Sequence, residues 1–175
     1  MKHSFPFKLI GMLDTDILDQ FKKFVVDANY QVSNDFQEYA IRIYNFNIND
    51  NILKNFVNFQ MSKYFEPTGH IGTNIARMDP CAYVSEHSDY TANTYGKIQD
   101  SIIKFQIPVI TNASAGLMWR HDKENRSACL SLAEGGIYAM DNCRVHSSVN
   151  FGSEYRYWIT SRWNINSLID KSILD

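Results

Sequence analysis

"MDNCRVHSSVNFGSEYRYWITSRW", residues 140–163, is the stretch on which the fold turns. Its end, continued as "RYWITSRWNI", alternates in the manner of a β-strand. Tyr157, Ile159 and Ser161 lie on one face and Arg156 on the other, with Arg162 on the Arg156 face. The aromatic and apolar side is expected to pack against the core or a helix. Upstream, "GIYAMD" reads as another strand, and the short connection "NCRVH" leads from it to His146. The intervening "SSVNFGSEY" holds a glycine-containing turn. Such a turn folds the Arg156 strand back beside the His146 segment, and the even offset of ten residues is compatible with one shared face.

Outward from this stretch the chain keeps the same character. "TNIARMD", "AYVSEH", "SIIKFQIPVIT", "GLMWRH" and "ACLSL" read as further short strands, separated by "DPC", "NASAG" and "AEGG". Many short strands with regular turns predict a sandwich or barrel. Before residue 70 the pattern is different. "DTDILDQFKKFVVDANY" carries Ile17, Leu18, Phe21, Phe24, Val25 and Val26 near a 3.6-residue period, with Asp14 or Asp16 placed to cap it. "NDNILKNFVNFQMSKYF" reads as a second helix, with Ile52, Leu53, Phe56, Phe59, Met61 and Tyr64 as its apolar positions. "EYAIRIYNFNI" between them alternates as a strand.

The 175 residues suit one domain with one core, and 45% apolar content exceeds what a disordered chain carries. The expected division is a helical support region over 1–70, a β body over 71–165 and a tail over 166–175. Seventeen basic and nineteen acidic residues are interspersed, so no basic track for a nucleic acid is expected. No apolar run approaches the roughly 20 residues of a membrane span. The apolar part of "MKHSFPFKLIGML" is broken by Lys8, and no cleavage site follows, so it does not read as a signal peptide. Cys81, Cys129 and Cys143 are odd in number and widely spaced. That predicts reduced, mostly buried thiols in a cytoplasmic protein.

A second histidine comes from "HSDYTANTYG", residues 87–96. His87 and Asp89 stand two apart at the end of the strand "AYVSEH", so both can face one ion if strand geometry persists. The third ligand has four candidates, His3, His70, His121 and His146, of which His146 fits best. Two neutral imidazoles and one carboxylate on one side of iron leave three adjacent positions open. A dicarboxylic 2-oxo acid takes two and O₂ the third. The far carboxylate of that acid then needs a planar, bidentate counter-charge, which is arginine chemistry. Each residue alone is more often structural. The order His-x-Asp, about sixty residues, His, ten residues, Arg is what carries the metal reading.

With those residues in place, the chain resembles the Fe(II)- and 2-oxoglutarate-dependent oxygenases. More narrowly, it resembles the aspartyl/asparaginyl β-hydroxylase-like branch, which includes free-proline hydroxylases. "RMDPCAYVSEHSD", "IKFQIPVITN" and "MDNCRVHSSVNFGSEYRYWITSRW" carry the resemblance. It implies a mainly β fold with N-terminal helices, a double-stranded β-helix of the jelly-roll or cupin-like kind. It implies Fe(II) on His87, Asp89 and His146, and Arg156 on the far carboxylate of 2-oxoglutarate. A basic residue and a histidine often hold the cosubstrate in this family; Lys104 and Gln106 stand at those places. Cys81 replaces a turn glycine, which implies a slightly different turn. Peptidyl aspartyl hydroxylases of the branch lack the carboxylate ligand, so Asp89 sets this chain nearer the amino-acid hydroxylases.

The implied activity is a dioxygenase that hydroxylates an amino acid or an amino-acid side chain, using O₂ and releasing succinate and CO₂. The rival is a β-helix binding module that holds a metal or ligand and turns over nothing. The loop "YTANTYGKIQDS" is long and polar, and reads as a lid from which Tyr90 or Asn93 touches substrate. "LMWRHDKENRS", with Trp119, Arg120, His121 and Arg126, reads as a solvated hairpin, or as one that brings Arg120 or Arg126 to a substrate carboxylate. Arg162 is either an ion-pair residue or a second anion contact.

Overall fold

The computed structural model describes residues 7–32, 41–47, 49–88, 102–121, 126–140 and 145–170. Two antiparallel sheets dominate. The larger has seven strands in the order β1-β9-β6-β11-β4-β3-β2, and the smaller has four in the order β5-β10-β7-β8. The strands run β1 Phe7–Met12, β2 Gln31–Val32, β3 Ile41–Asn45, β4 His70–Met78, β5 Ala82–His87 and β6 Ile102–Ile110. They continue with β7 Ala115–His121, β8 Arg126–Leu130, β9 Gly136–Met140, β10 His146–Asn150 and β11 Arg156–Asn164. This is a jelly-roll arrangement, and every strand predicted after residue 70 is present. β10 is an addition, because "HSSVN" lacks the apolar alternation that marks its neighbours.

The first 70 residues are more than a helical support. β1 pairs with β9, β3 pairs with β4, and β2 extends the sheet beyond β3, so the N-terminal region supplies three strands of the larger sheet. α1, Thr15–Asp27, forms as its periodicity predicts and buries Ile17, Phe21 and Val25 at four-residue intervals. Asp14 occupies its N-cap without a side-chain cap bond. Its carboxylate instead pairs with Lys63, and its carbonyl accepts from Ile17 and Leu18.

The second predicted helix is a composite: α2 over Asn51–Asn55, a π turn over Phe56–Gln60 and a 3₁₀ turn over Met61–Lys63. The wider turn rotates the apolar stripe. Gln60 goes inside and Phe59 comes out, 66% exposed. The buried amide is used: Gln60 accepts from Asp14 N and donates to the Met12 carbonyl, tying the segment to β1 and α1.

The main core lies between these helices and the outer face of the larger sheet. Phe21, Phe56, Phe65, Phe105, Ile107, Ile159 and Trp163 are all fully enclosed there. That is the packing role predicted for the Tyr157, Ile159 and Ser161 face of β11. On the other face two smaller apolar clusters fill the flanks of the space between the sheets. One contains Met78, Val84 and Trp158, the other Leu117, Tyr138 and Met140. The polar side chains taken up below lie between them.

Cys81 adopts a left-handed backbone with φ of 57° at the β4–β5 turn, the conformation a glycine would take. Cys81 and Cys129 are free and exposed rather than buried; Cys143 lies outside the described residues. Among the described residues, no helix is long and apolar enough to cross a membrane.

Candidate metal and cosubstrate site

β10 places His146 directly opposite His87 of β5. The register shifts between His146 and Ser148, whose partner is Val84. That extra residue in β5 is decisive. Val84 faces inward and is buried, so strict alternation would turn Glu86 inward and His87 outward. The bulge reverses the phase, and His87 joins the inner face beside His146.

The two imidazole rings are 4.5 Å apart, centre to centre, and inclined by 51°. Two imidazoles that each direct a nitrogen about 2.1 Å from one ion, in roughly perpendicular directions, have ring centres about 4.5 Å apart. His87 Nδ1 donates to the Ser85 carbonyl at 2.8 Å. A carbonyl only accepts, so Nδ1 carries the proton and Nε2 carries a lone pair open to a metal ion. Such an outer hydrogen bond fixes ring and tautomer in metal-binding histidines. His146 is 5% exposed. Asp89, the predicted carboxylate, lies outside the described residues, as do Tyr90, Asn93 and the remainder of the 90–99 loop. Among the described residues no third His, Cys, Asp or Glu joins the histidine pair.

Arg156 reaches the histidine strand by another route than the predicted hairpin. β10 and β11 do not pair: β10 lies between β5 and β7, and β11 lies between β4 and β6. The glycine-containing turn carries the chain from one sheet to the other. Arg156 then spans the space between the sheets. Its Nη1 donates to Ser148 Oγ at 2.7 Å, the Gly116 carbonyl at 3.0 Å and the Val149 carbonyl at 3.3 Å. Ser148 is two residues from His146 on the same inward face. The guanidinium is therefore held about 7 Å along the strand from the histidine pair.

The electrostatics of Arg156 are unusual. It is fully buried, its Cζ lies 5.0 Å from the centre of the Trp158 ring, and its Nε has no hydrogen-bond partner among the described residues. Burial pulls its pKa down from the ordinary arginine value to about 10. Every bond it makes is to a neutral oxygen, and no carboxylate pairs with it among the described residues. A buried charge without a counter-charge is costly. An anionic ligand at this point supplies what the described residues do not.

Gln106 and Lys104 extend this face along β6. Cross-strand register sets Gln106 opposite Thr160 and Lys104 opposite Arg162. Gln106 is buried with an unpartnered Oε1. Lys104 therefore stands level with Arg162, six residues along β11 from Arg156. Two contributors were not visible in the sequence reading: Ser148 and the Gly116 carbonyl, which hold the Arg156 guanidinium. The parity of Ser148 with His146 is the one signal that pointed to either. Trp119 lies in β7, the strand expected over "GLMWRH", opposite His146, and stacks on Phe7 with rings 6.4 Å apart.

The donor set fits a hard or borderline metal ion with a dicarboxylate beside it: two inward imidazoles, one tautomer fixed, and a buried guanidinium that no carboxylate pairs among the described residues. No protein-family model and no curated protein matches the chain. Solved structures do. An oxidoreductase of the 2OG-Fe(II) oxygenase family from Burkholderia pseudomallei is similar over 89% of this chain and 81% of its own, with TM-score 0.66 and 12% identity. A Pseudomonas putida prolyl-4-hydroxylase is similar over 93% of both chains, with TM-score 0.66 and 9% identity. HygX from Streptomyces hygroscopicus, solved with nickel and 2-oxoglutarate bound, covers 91% of this chain and 82% of its own, with TM-score 0.66 and 6% identity. At these identities the likeness is one of fold: the chain has the jelly-roll architecture on which those oxygenases are built.

Proposed function

We propose that this protein is an Fe(II)- and 2-oxoglutarate-dependent dioxygenase of the aspartyl/asparaginyl β-hydroxylase-like kind, acting as a hydroxylase on an amino acid or an amino-acid side chain. One observation carries the reading. A fully buried arginine, without a carboxylate partner among the described residues, shares an inward face with two imidazoles spaced as ligands of one ion. The fold held in common with 2-oxoglutarate oxygenases supports it.

His87, His146 and Asp89 would hold the iron. The bound iron and cosubstrate supply oxygen chemistry in which one atom of O₂ enters the product hydroxyl and the other enters succinate, with CO₂ released. The chain's own contribution is positioning. Arg156 receives the far carboxylate of 2-oxoglutarate through its fork, with Ser148 and two backbone carbonyls fixing the guanidinium plane. The Ser85 carbonyl holds His87 in the tautomer that ligates through Nε2. Gln106 offers its amide to the same ligand from β6. The flanking apolar clusters exclude water from the space between the sheets.

The test is succinate release by the purified chain with Fe(II), ascorbate, O₂ and 2-oxoglutarate, with mass detection of a +16 product in a substrate screen. Stoichiometric binding of 2-oxoglutarate without succinate under any substrate favours the alternative, a non-catalytic β-helix that binds metal and ligand.

A further inference from the structure

The inward face of β11 has a second cation, and its setting differs from that of Arg156. Along this face burial falls from one end to the other. Arg156 and Trp158 are buried, whereas Thr160, Arg162 and Asn164 are half-buried. The opposite face stays closed throughout, with Ile159, Ser161 and Trp163 at 0% exposure. The space between the sheets is therefore shut at Arg156 and open at Arg162.

Arg162 lies across from Lys104 on one side and Gly72 on the other, so two positive side chains share one tier at the open end. Its Nη2 lies 3.4 Å from the point where a side chain on residue 72 would begin, so the guanidinium rests over bare backbone. Its Nε is enclosed and has no hydrogen-bond partner among the described residues. None of the ion pairs among the described residues involves Arg162. Its charge is felt nearby: the His70 pKa is lowered first by burial and then by Arg162.

Six residues of strand separate Arg156 from Arg162, about 20 Å. A small dicarboxylate lying between the histidine pair and Arg156 does not extend to Arg162. The second guanidinium is therefore out of reach of that dicarboxylate and stands at the less buried end of the face.

We infer that Arg162 binds a carboxylate of the substrate, and that the substrate is a free amino acid rather than a residue within a peptide. In a peptide the α-carboxylate has become an amide and offers no charge to this tier. The inference rests on the oxygenase reading, and the two are separable by experiment.

The twenty free L-amino acids and their α-carboxamides are titrated by calorimetry into the manganese-loaded chain saturated with 2-oxoglutarate. At least one free acid is expected to bind, with its carboxamide weaker by about tenfold or more, the loss of one charge-assisted pair. Arg162→Gln should abolish that preference while 2-oxoglutarate affinity stays within about threefold of the parent. Arg162→Lys should retain part of it, which shows that the site rather than the fold has been altered. The inference is overturned if no free acid binds, if acid and amide bind alike, or if Arg162→Gln keeps the preference. Failure of the parent to bind 2-oxoglutarate, with the acid preference intact, overturns the oxygenase reading instead.

Discussion

Replacing Arg156 with methionine separates an anchoring role from a structural one. Methionine has similar length, no charge and no donors. Two effects on stability oppose each other. The fall of the Arg156 pKa from the ordinary arginine value to about 10 corresponds to about 3 kcal/mol by which burial disfavours the charge. The unfolded chain holds this proton more tightly than the folded one. The penalty is therefore fully present below about pH 10 and is relieved only as pH rises from there toward the ordinary arginine value. Against it stand the hydrogen bonds to Ser148 Oγ and the Gly116 and Val149 carbonyls, each worth about 1.5–3 kcal/mol from a charged donor. The three bonds together outweigh the penalty, so ligand-free Arg156→Met is expected to be less stable than the parent by about 1.5–6 kcal/mol.

Ligand affinity has no such cancellation. Removing one partner of a buried charged pair costs about 2–5 kcal/mol, or about 30-fold to several thousand-fold in 2-oxoglutarate affinity. Arg156→Lys should recover only part, because an ammonium offers no fork. Calorimetric titration of 2-oxoglutarate into the manganese-loaded variants measures the effect, with metal stoichiometry as the control. A folded Arg156→Met chain with parental metal content and a dissociation constant within about threefold of the parent would refute the anchoring argument.

His87→Ala and His146→Ala should each lose the metal and 2-oxoglutarate turnover together, and unchanged metal stoichiometry in both would remove them from the ligand set. A side chain at residue 116 would begin 2.7 Å from Cys129 Sγ and 3.1 Å from the Leu130 carbonyl. Gly116→Ala should therefore displace the carbonyl that accepts from Arg156, lowering the melting temperature and weakening 2-oxoglutarate together. The His70 imidazole is hydrogen-bonded to Thr73 at 2.8 Å and held neutral by burial and by Arg162. Its folded pKa lies below the ordinary value, so its protonation removes stability as pH falls through and below about 6.5. In His70→Gln, melting curves should show a shallower decline with acid than the parent.

The β body was legible because its signals are local. Alternating apolar residues with glycine and asparagine turns between them specify strands wherever they occur, and α1 declared itself by its period. The candidate residues His87, His146 and Arg156 were also named from spacing and residue chemistry alone. Sheet membership could not be read in that way. "SSVNFGSEY" reads equally well as a hairpin or as a crossing between sheets. Only the pairing of β10 with β5 and β7, and of β11 with β4 and β6, shows that Arg156 meets its partners across a gap. The inward phase of His87 depends on a bulge set by pairing with β10, which no count along β5 reveals. The exchange of Phe59 for Gln60 in the core likewise follows from a π turn stabilised by contacts with β1 and α1. Sequence determined which residues have the chemistry and which segments are strands, because those properties belong to neighbours along the chain. Tertiary structure alone decided which side chains face each other and that Arg156 is buried with no carboxylate partner among the described residues. Register, sheet assignment and desolvation are properties of strands brought together from distant parts of the chain.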